Sequence, residues 1–150
     1  MKKNESVLAA LPRLPCACAV FRRASRAMTR AYERHLRGSG LNIAQFTLLR
    51  ALAHAGPITQ GRLGRLLALD STTLSRTLRP LEARNWLRAL SGEDRRERRL
   101  ELTAAGRAQI KRTMPAWERA QKDLKSRVGE ERWERIITEL SVLAGVMGDA

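Results

Sequence analysis

The strongest constraint on this chain is a change of hydrophobic period within residues 59–106. Leu74, Leu78 and Leu81 recur at i, i+4 and i+7, the spacing of a single buried stripe on an α-helix. That spacing turns Thr73, Ser75, Arg76 and Arg79 away from the core. A little further on, Leu100 and Leu102 alternate with Arg99 and Glu101, the period of a strand with one wet face. The polar run at 91–97 separates that strand from an earlier one over Trp86–Leu90, which predicts a hairpin. Upstream, Thr59 is placed to cap a short helix carrying Leu63, Leu66 and Leu67. The order is therefore helix, tight turn, polar-faced helix and basic hairpin.

The boundaries agree with that order. Asp70, Ser71, Thr72 and Thr73 form a cluster of N-cap candidates for the polar-faced helix. Asn85 stands where that helix needs a left-handed residue after its end, and Pro80 predicts a kink in its last turns. Before the motif, helices are expected from Cys16 to about Arg37 and from Ile43 to Ala55, stopped by Gly38-Ser39-Gly40 and Gly56-Pro57. After it, Thr103 caps a long helix through Ile110, Met114, Trp117, Leu124 and Val128, with Pro115 as a kink. A last helix follows Gly129 with Trp133, Ile136, Ile137, Leu140, Leu143 and Val146. The expected fold class is mainly α with a small β-wing: a winged helix-turn-helix over 41–106, helical flanks at 16–40 and 107–150, and an N-terminal arm over 1–15.

Charge narrows the function. The 150 residues carry 29 basic and 15 acidic side chains, a net +14, and 24 of the basic residues are arginine. With 43% apolar residues the chain has a core to form, so it is not a disordered basic tail. An acidic partner is expected, nucleic acid first. The excess is uneven: +8 over residues 1–50, +5 over 51–100 and +1 over 101–150. No run approaches the ~20 apolar residues of a membrane helix, and Glu5 and Arg13 break the signal-like start. The expectation is a cytoplasmic chain without membrane contact, with Cys16 and Cys18 as reduced thiols.

The major groove of B-DNA admits an α-helix, where Ser and Thr reach several base edges and Arg prefers guanine. Double-stranded DNA is therefore the expected partner, contacted by Ser71, Thr72, Thr73, Ser75, Arg76 and Arg79 from the helix. Arg95, Arg96, Arg98 and Arg99, on or beside the hairpin tip, suit phosphates or a narrow minor groove. Asp94 fits as the carboxylate that orients Arg96 across the turn.

The runs LGRLLALDSTTLSRTLRPLEARNWL (63–87) and EDRRERRLELTAAG (93–106) resemble the reading helix and wing of the MarR family of bacterial regulators. Asp94 with Arg96 at the wing tip, and Leu102-Thr103 beyond it, carry much of the resemblance; Asn85 stands where the family usually has glycine. The resemblance implies a homodimer built from the terminal helices, binding a pseudo-palindromic operator, usually as a repressor released by a small ligand. It also implies roles: Asp94 as positioner, Arg96 in the minor groove, and Ser71 to Arg79 as the major-groove reader.

Two inputs are conceivable for such a regulator. The segment from Cys18 to Tyr32 resembles the start of the OhrR subgroup of organic-peroxide sensors, with Cys18 at the cysteine position and Tyr32 at the first tyrosine position. Ile43 stands where the second tyrosine belongs. Arg22 and Arg23 would favour a thiolate at Cys18. Alternatively, a cleft lined by Arg22, Arg26, Met28 and Tyr32 would suit a small anionic aromatic effector, as the family resemblance implies. His35 reads as a surface residue and His54 as a packed helix-end residue. No phosphate loop, catalytic Ser-His-acid set, metal motif or cofactor motif is present in the sequence, so no enzyme is expected. The remaining alternatives are a peroxide- or thiol-sensing regulator through Cys18 and an architectural DNA coater without sequence choice.

Overall fold

Four helices of this chain start at short polar side chains that accept otherwise unpaired backbone N–H groups. Asn42 and Gln45 form a reciprocal capping box, Thr59 accepts from Arg62 at 3.3 Å, Asp70 from Thr73 at 2.8 Å, and Thr103 from Gly106 at 3.0 Å. The computed structural model describes residues 16–90 and 98–148. Its elements are α1 (Ala17–Leu36), α2 (Ile43–Ala55), β1 (Ile58–Thr59), α3 (Gln60–Leu66), α4 (Ser71–Ala83), β2 (Leu87–Leu90), β3 (Arg99–Leu102), α5 (Ala104–Val128) and α6 (Glu130–Gly148). Within the Asp70–Thr73 cluster, Asp70 is the residue that caps α4. Pro80 and Pro115 lie inside α4 and α5, and neither ends its helix.

The fold is mainly helical with a three-stranded antiparallel sheet in the order β1-β3-β2. The expected hairpin pairs Leu87 with Leu102 and Leu90 with Arg99. Strand β1, which pairs Ile58 with Leu100 and Thr59 with Arg99, is an addition to the expected elements. Thr59 was expected only as a cap; it both closes the sheet and starts α3.

One core joins these elements. Leu74, Leu78 and Leu81 of α4 are at most 1% exposed and meet Leu36, Phe46, Leu49, Leu52, Leu63, Leu87 and Leu100. Burying each such side chain contributes about 1.5–3 kcal/mol, which fixes the roll of α4 about its own axis. Leu66 departs from the expected stripe and is 59% exposed. A smaller cluster of Ala31, Leu124 and Trp133, with Met28, Tyr32 and Val128 against it, holds α1, α5 and α6 together.

Polar ties complete the attachment of α1 and α2 to α5. The Tyr32 hydroxyl donates to Gln121 Oε1 at 2.9 Å, and buried Gln109 donates from Nε2 to the Ser39 carbonyl at 2.6 Å. His35 Nε2 lies 3.3 Å from Asp123 Oδ2. His35 is therefore half-buried against α5, not a plain surface residue, whereas His54 is exposed and does not pack at the helix end. The environment of His35 was not legible in the sequence because its partner is 88 residues away.

The junction between sheet and α5 is tight. Asn85 adopts φ of +54°, as expected for the left-handed residue after α4. It turns the chain so that Thr103 donates from Oγ1 to the Asn85 carbonyl at 2.7 Å and from its N–H to the Trp86 carbonyl at 3.1 Å. A Cβ on Gly106 would overlap the Trp86 carbonyl oxygen and come within 2.7 Å of Leu102 Cδ1. Backbone on one side leaves no soft neighbour to move. Gly106→Ala is therefore expected to destabilise the fold by roughly 3 kcal/mol or more in urea unfolding. Ala105→Gly, at an exposed position beside it, should cost no more than about 1 kcal/mol.

Candidate nucleic-acid interface

With three leucines sealing one side of α4, the helical repeat places Thr72, Arg76 and Arg79 along the opposite side and Ser75 on the flank that faces α3. All four are exposed, as are Ser71 and Thr73. Among the described residues, the side chains of Arg76 and Arg79 have no hydrogen-bond or ion-pair partner. Thr73 differs from its neighbours. Its hydroxyl donates to Asp70 Oδ2 at 2.6 Å while its N–H donates to Asp70 Oδ1 at 2.8 Å. These bonds, the hydroxyl's first, hold the Asp70 carboxyl below its usual pKa. Thr73 thus serves the cap, and its hydroxyl proton is engaged.

The arginines of the hairpin are sorted as well. Arg88 on β2 pairs with Glu101 on β3 at 2.7 Å. Arg99 donates to the Pro57 carbonyl at 3.4 Å. Arg98, expected to face DNA, instead reaches back over α4: it pairs with Glu82 and donates to Gln60 Oε1 at 3.2 Å. Gln60 in turn donates from Nε2 to Ser75 Oγ at 3.1 Å. Two of the five N–H donors of this guanidinium are thereby engaged within the chain, and the side chain stays exposed. Sequence spacing gave no sign of this, since the contacts bridge three separate elements. Asp94, Arg95 and Arg96, the expected wing tip, lie outside the described residues.

Beside this face, a cleft of about 1060 Å³ opens between α3, α4 and the C-terminal part of α6, lined in part by Arg65, Asp70, Ser71 and Arg98 with Ala144 and Gly145.

The candidate effector and redox residues are not assembled within one chain. Arg22 and Arg26 are exposed on α1, whereas Met28 and Tyr32 pack into the cluster around Leu124 and Trp133. The expected four-residue cleft is thus split between two faces of one helix. Burial raises the pKa of Tyr32, and its hydroxyl is held by Gln121. Cys18 is exposed and lies fourteen residues from Tyr32 on the same helix, about 21 Å along its axis. Among the described residues, no three His, Cys, Asp or Glu side chains cluster as a metal site, and no helix is long and apolar enough to cross a membrane.

A polar-faced helix seated on a short bracing helix and flanked by an antiparallel hairpin defines a winged helix-turn-helix, here carried on a stem of three helices. A family model described as MarR family matches residues 39–97. The crystal structure of the M. tuberculosis transcriptional regulator MosR in complex with DNA is similar, at 34% identity and a TM-score of 0.79, covering 88% of this chain and 96% of that one. A second MosR structure aligns at 31% identity and a TM-score of 0.77, over 91% and 98% of the two chains. The uncharacterized HTH-type transcriptional regulator YwoH of Bacillus subtilis (strain 168) is 32% identical over 79 residues, 53% of this chain and 58% of its own length. The chain belongs to the MarR family.

The Asp70 cap yields a pH-dependent outcome. Because its folded pKa is depressed, its stabilising effect is present above the unfolded carboxyl value of about 3.9 and is lost as pH falls through the lower folded value. Asp70→Ala should lower the urea midpoint near neutral pH, and the gap to wild type should shrink progressively below about pH 4. A gap that stays constant down to about pH 2 would exclude the capping carboxylate as its source.

Proposed function

We propose that this chain is a sequence-specific DNA-binding transcriptional regulator that reads double-stranded DNA with the outer face of α4. The observation that carries this reading is the exposed row of Thr72, Arg76 and Arg79, with Ser75 exposed on its flank, on a helix whose opposite side is locked into the core. The likeness to MosR in complex with DNA supports it. In this reading Arg76 and Arg79 contact guanine edges or phosphates, and Ser71 and Thr72 lie at the helix N-terminus beside the backbone. In the same reading the segment with Asp94, Arg95 and Arg96 acts as the wing, with Arg96 in the minor groove.

The active form in this reading is a homodimer on a pseudo-palindromic operator, acting as a repressor. In the single chain, Val20 and Phe21 of α1 and Ile136, Ile137, Leu140, Val146 and Met147 of α6 are 41–67% exposed. An apolar surface of this kind supports association of the helical flanks, 16–40 and 107–150. Release by a small ligand is part of the same reading. The cleft between α3, α4 and α6 supports it, because a ligand held there bears on both the reading head and the stem. An exposed Cys18 remote from Tyr32 gives no corresponding support to peroxide sensing.

Selection from random duplexes, followed by footprinting, tests the reading. It predicts a protected pseudo-palindrome that survives competitor DNA, with half-sites about 10–10.5 bp apart. Uniform coating that vanishes with modest salt would instead make the protein an architectural coater. On the selected site, Arg79→Ala should weaken binding by about 5–100-fold if it reads guanine. If it meets a phosphate, the salt slope should fall by about 0.9. Leu140→Glu should leave a folded monomer by sedimentation and lower operator affinity by at least about 100-fold, since it places a charge on an apolar contact.

A further inference from the structure

Four polar side chains form a chain of hydrogen bonds from the hairpin to the exposed face of α4. Glu82 accepts from Arg98 Nη2, Arg98 Nη1 donates to Gln60 Oε1 at 3.2 Å, and Gln60 Nε2 donates to Ser75 Oγ at 3.1 Å. The backbone holds the middle members together, because the Gln60 N–H donates to the Arg98 carbonyl at 2.9 Å, extending the β1–β3 pairing. Glu82 sits on the same helix as Ser75, two turns on. The relay therefore begins and ends on α4 and passes through the sheet.

The direction of this relay is fixed by chemistry. A carboxylate only accepts and a guanidinium only donates. The Gln60 oxygen must therefore face Arg98, which turns the amide NH₂ toward Ser75 and makes the Ser75 oxygen an acceptor. The one remaining proton of Ser75 has to go elsewhere. Thr77 gives its hydroxyl proton to the carbonyl four residues back, Thr73 O, at 3.0 Å. Ser75 makes no such bond among the described residues, and it is exposed on the flank of α4 beside the outward row. Among the described residues its O–H has no acceptor, which leaves it to donate outward.

We propose that Ser75 is a specificity residue that donates to an acceptor on a base edge in the major groove (purine N7, guanine O6 or thymine O4), and that Gln60 is the positioning residue that sets this polarity. Glu82 and Arg98 act through Gln60 by fixing which end of its amide faces the serine. This assignment rests on α4 being the base-reading helix. It gives a role to Arg98 without a DNA contact, and it places a determinant of sequence preference on α3, outside the reading helix.

Gln60→Glu is the diagnostic substitution. A glutamate at 60 keeps the same shape and still accepts from Arg98, but its second oxygen accepts from Ser75. The Ser75 proton is thereby drawn inward and its oxygen is left to face the groove as an acceptor. The measurement is the ratio of affinities for the wild-type-selected duplex and for duplexes changed at one base pair per half-site. A ratio cancels any uniform weakening from the added negative charge. For wild type, one base pair should carry a preference lost in Ser75→Ala, with a ratio falling about 3–10-fold. Gln60→Glu should abolish or invert the preference at that same base pair, toward an edge presenting an amino group, with other positions unchanged. Should Gln60→Glu fail to fold by circular dichroism, Ser75→Ala decides alone: a retained preference at every base pair overturns the proposal. Uniform loss over all sequences in Ser75→Ala marks a phosphate contact and overturns it too, as does a Gln60→Glu profile identical to wild type. A wild type that selects no sequence overturns both this inference and the reading of α4. A wild type that selects one, with variants behaving as just described against expectation, overturns this inference alone.

Discussion

The burial of Leu74, Leu78 and Leu81 governs what the rest of the molecule can do. A helix held by three leucines at no more than 1% exposure cannot roll, so the side chains on its far side point in one fixed direction. The bracing helix α3, the sheet and α2 each contribute a wall to the pocket those leucines fill. The close approach of Gly106 to the Trp86 carbonyl then joins this reading head to the long helix α5 without a flexible linker. A change in the stem at α1, α5 or α6 can therefore reach α4 through packed backbone, the condition for coupling a ligand or a second chain to DNA binding.

A net charge of +14 would suit a protein that sticks to any polyanion. The structure divides its arginines by task. Arg88, Arg98 and Arg99 are tied to Glu101, Glu82 and Gln60, and the Pro57 carbonyl. Arg112 is tied to buried Gln109, and Arg50 stacks 4.7 Å above the Trp117 ring. Arg76 and Arg79 project from the outward row of α4. Exposed ion pairs contribute little to stability, about 0–1 kcal/mol each, but they hold side chains in place. In this region arginine acts as much to orient neighbours as to supply charge.

Much of this was legible in the sequence, because the relevant signals are local. The leucine spacing gave the buried side of α4, and the Asp70–Thr73 cluster, Asn85 and Thr103 gave its ends and the start of α5. The family resemblance placed the whole motif. Strand β1 was missed because two residues carry no period, and its pairing partner Leu100 is far along the chain. The ties of Arg98 were not legible for a similar reason: its partners Glu82 and Gln60 lie on other elements. Thr73 looked like its neighbours, yet its hydroxyl belongs to the cap. Arg22 and Arg26 were grouped with Met28 and Tyr32 by proximity in sequence, although each pair, four residues apart, shares a face of its own, and the two-residue step from Arg26 to Met28 crosses to the other side of the helix.

In the proposed function α4 enters the major groove. Dimethyl sulfate reacts with guanine N7, which lies in that groove, so methylation protection on the bound duplex reports the claim directly. Two protected patches are expected, separated by about one helical turn, ~34–36 Å, and lost when Arg76 and Arg79 are both alanine. Guanine N7 reactivity unchanged by saturating wild-type protein, with the duplex nonetheless bound, would contradict it.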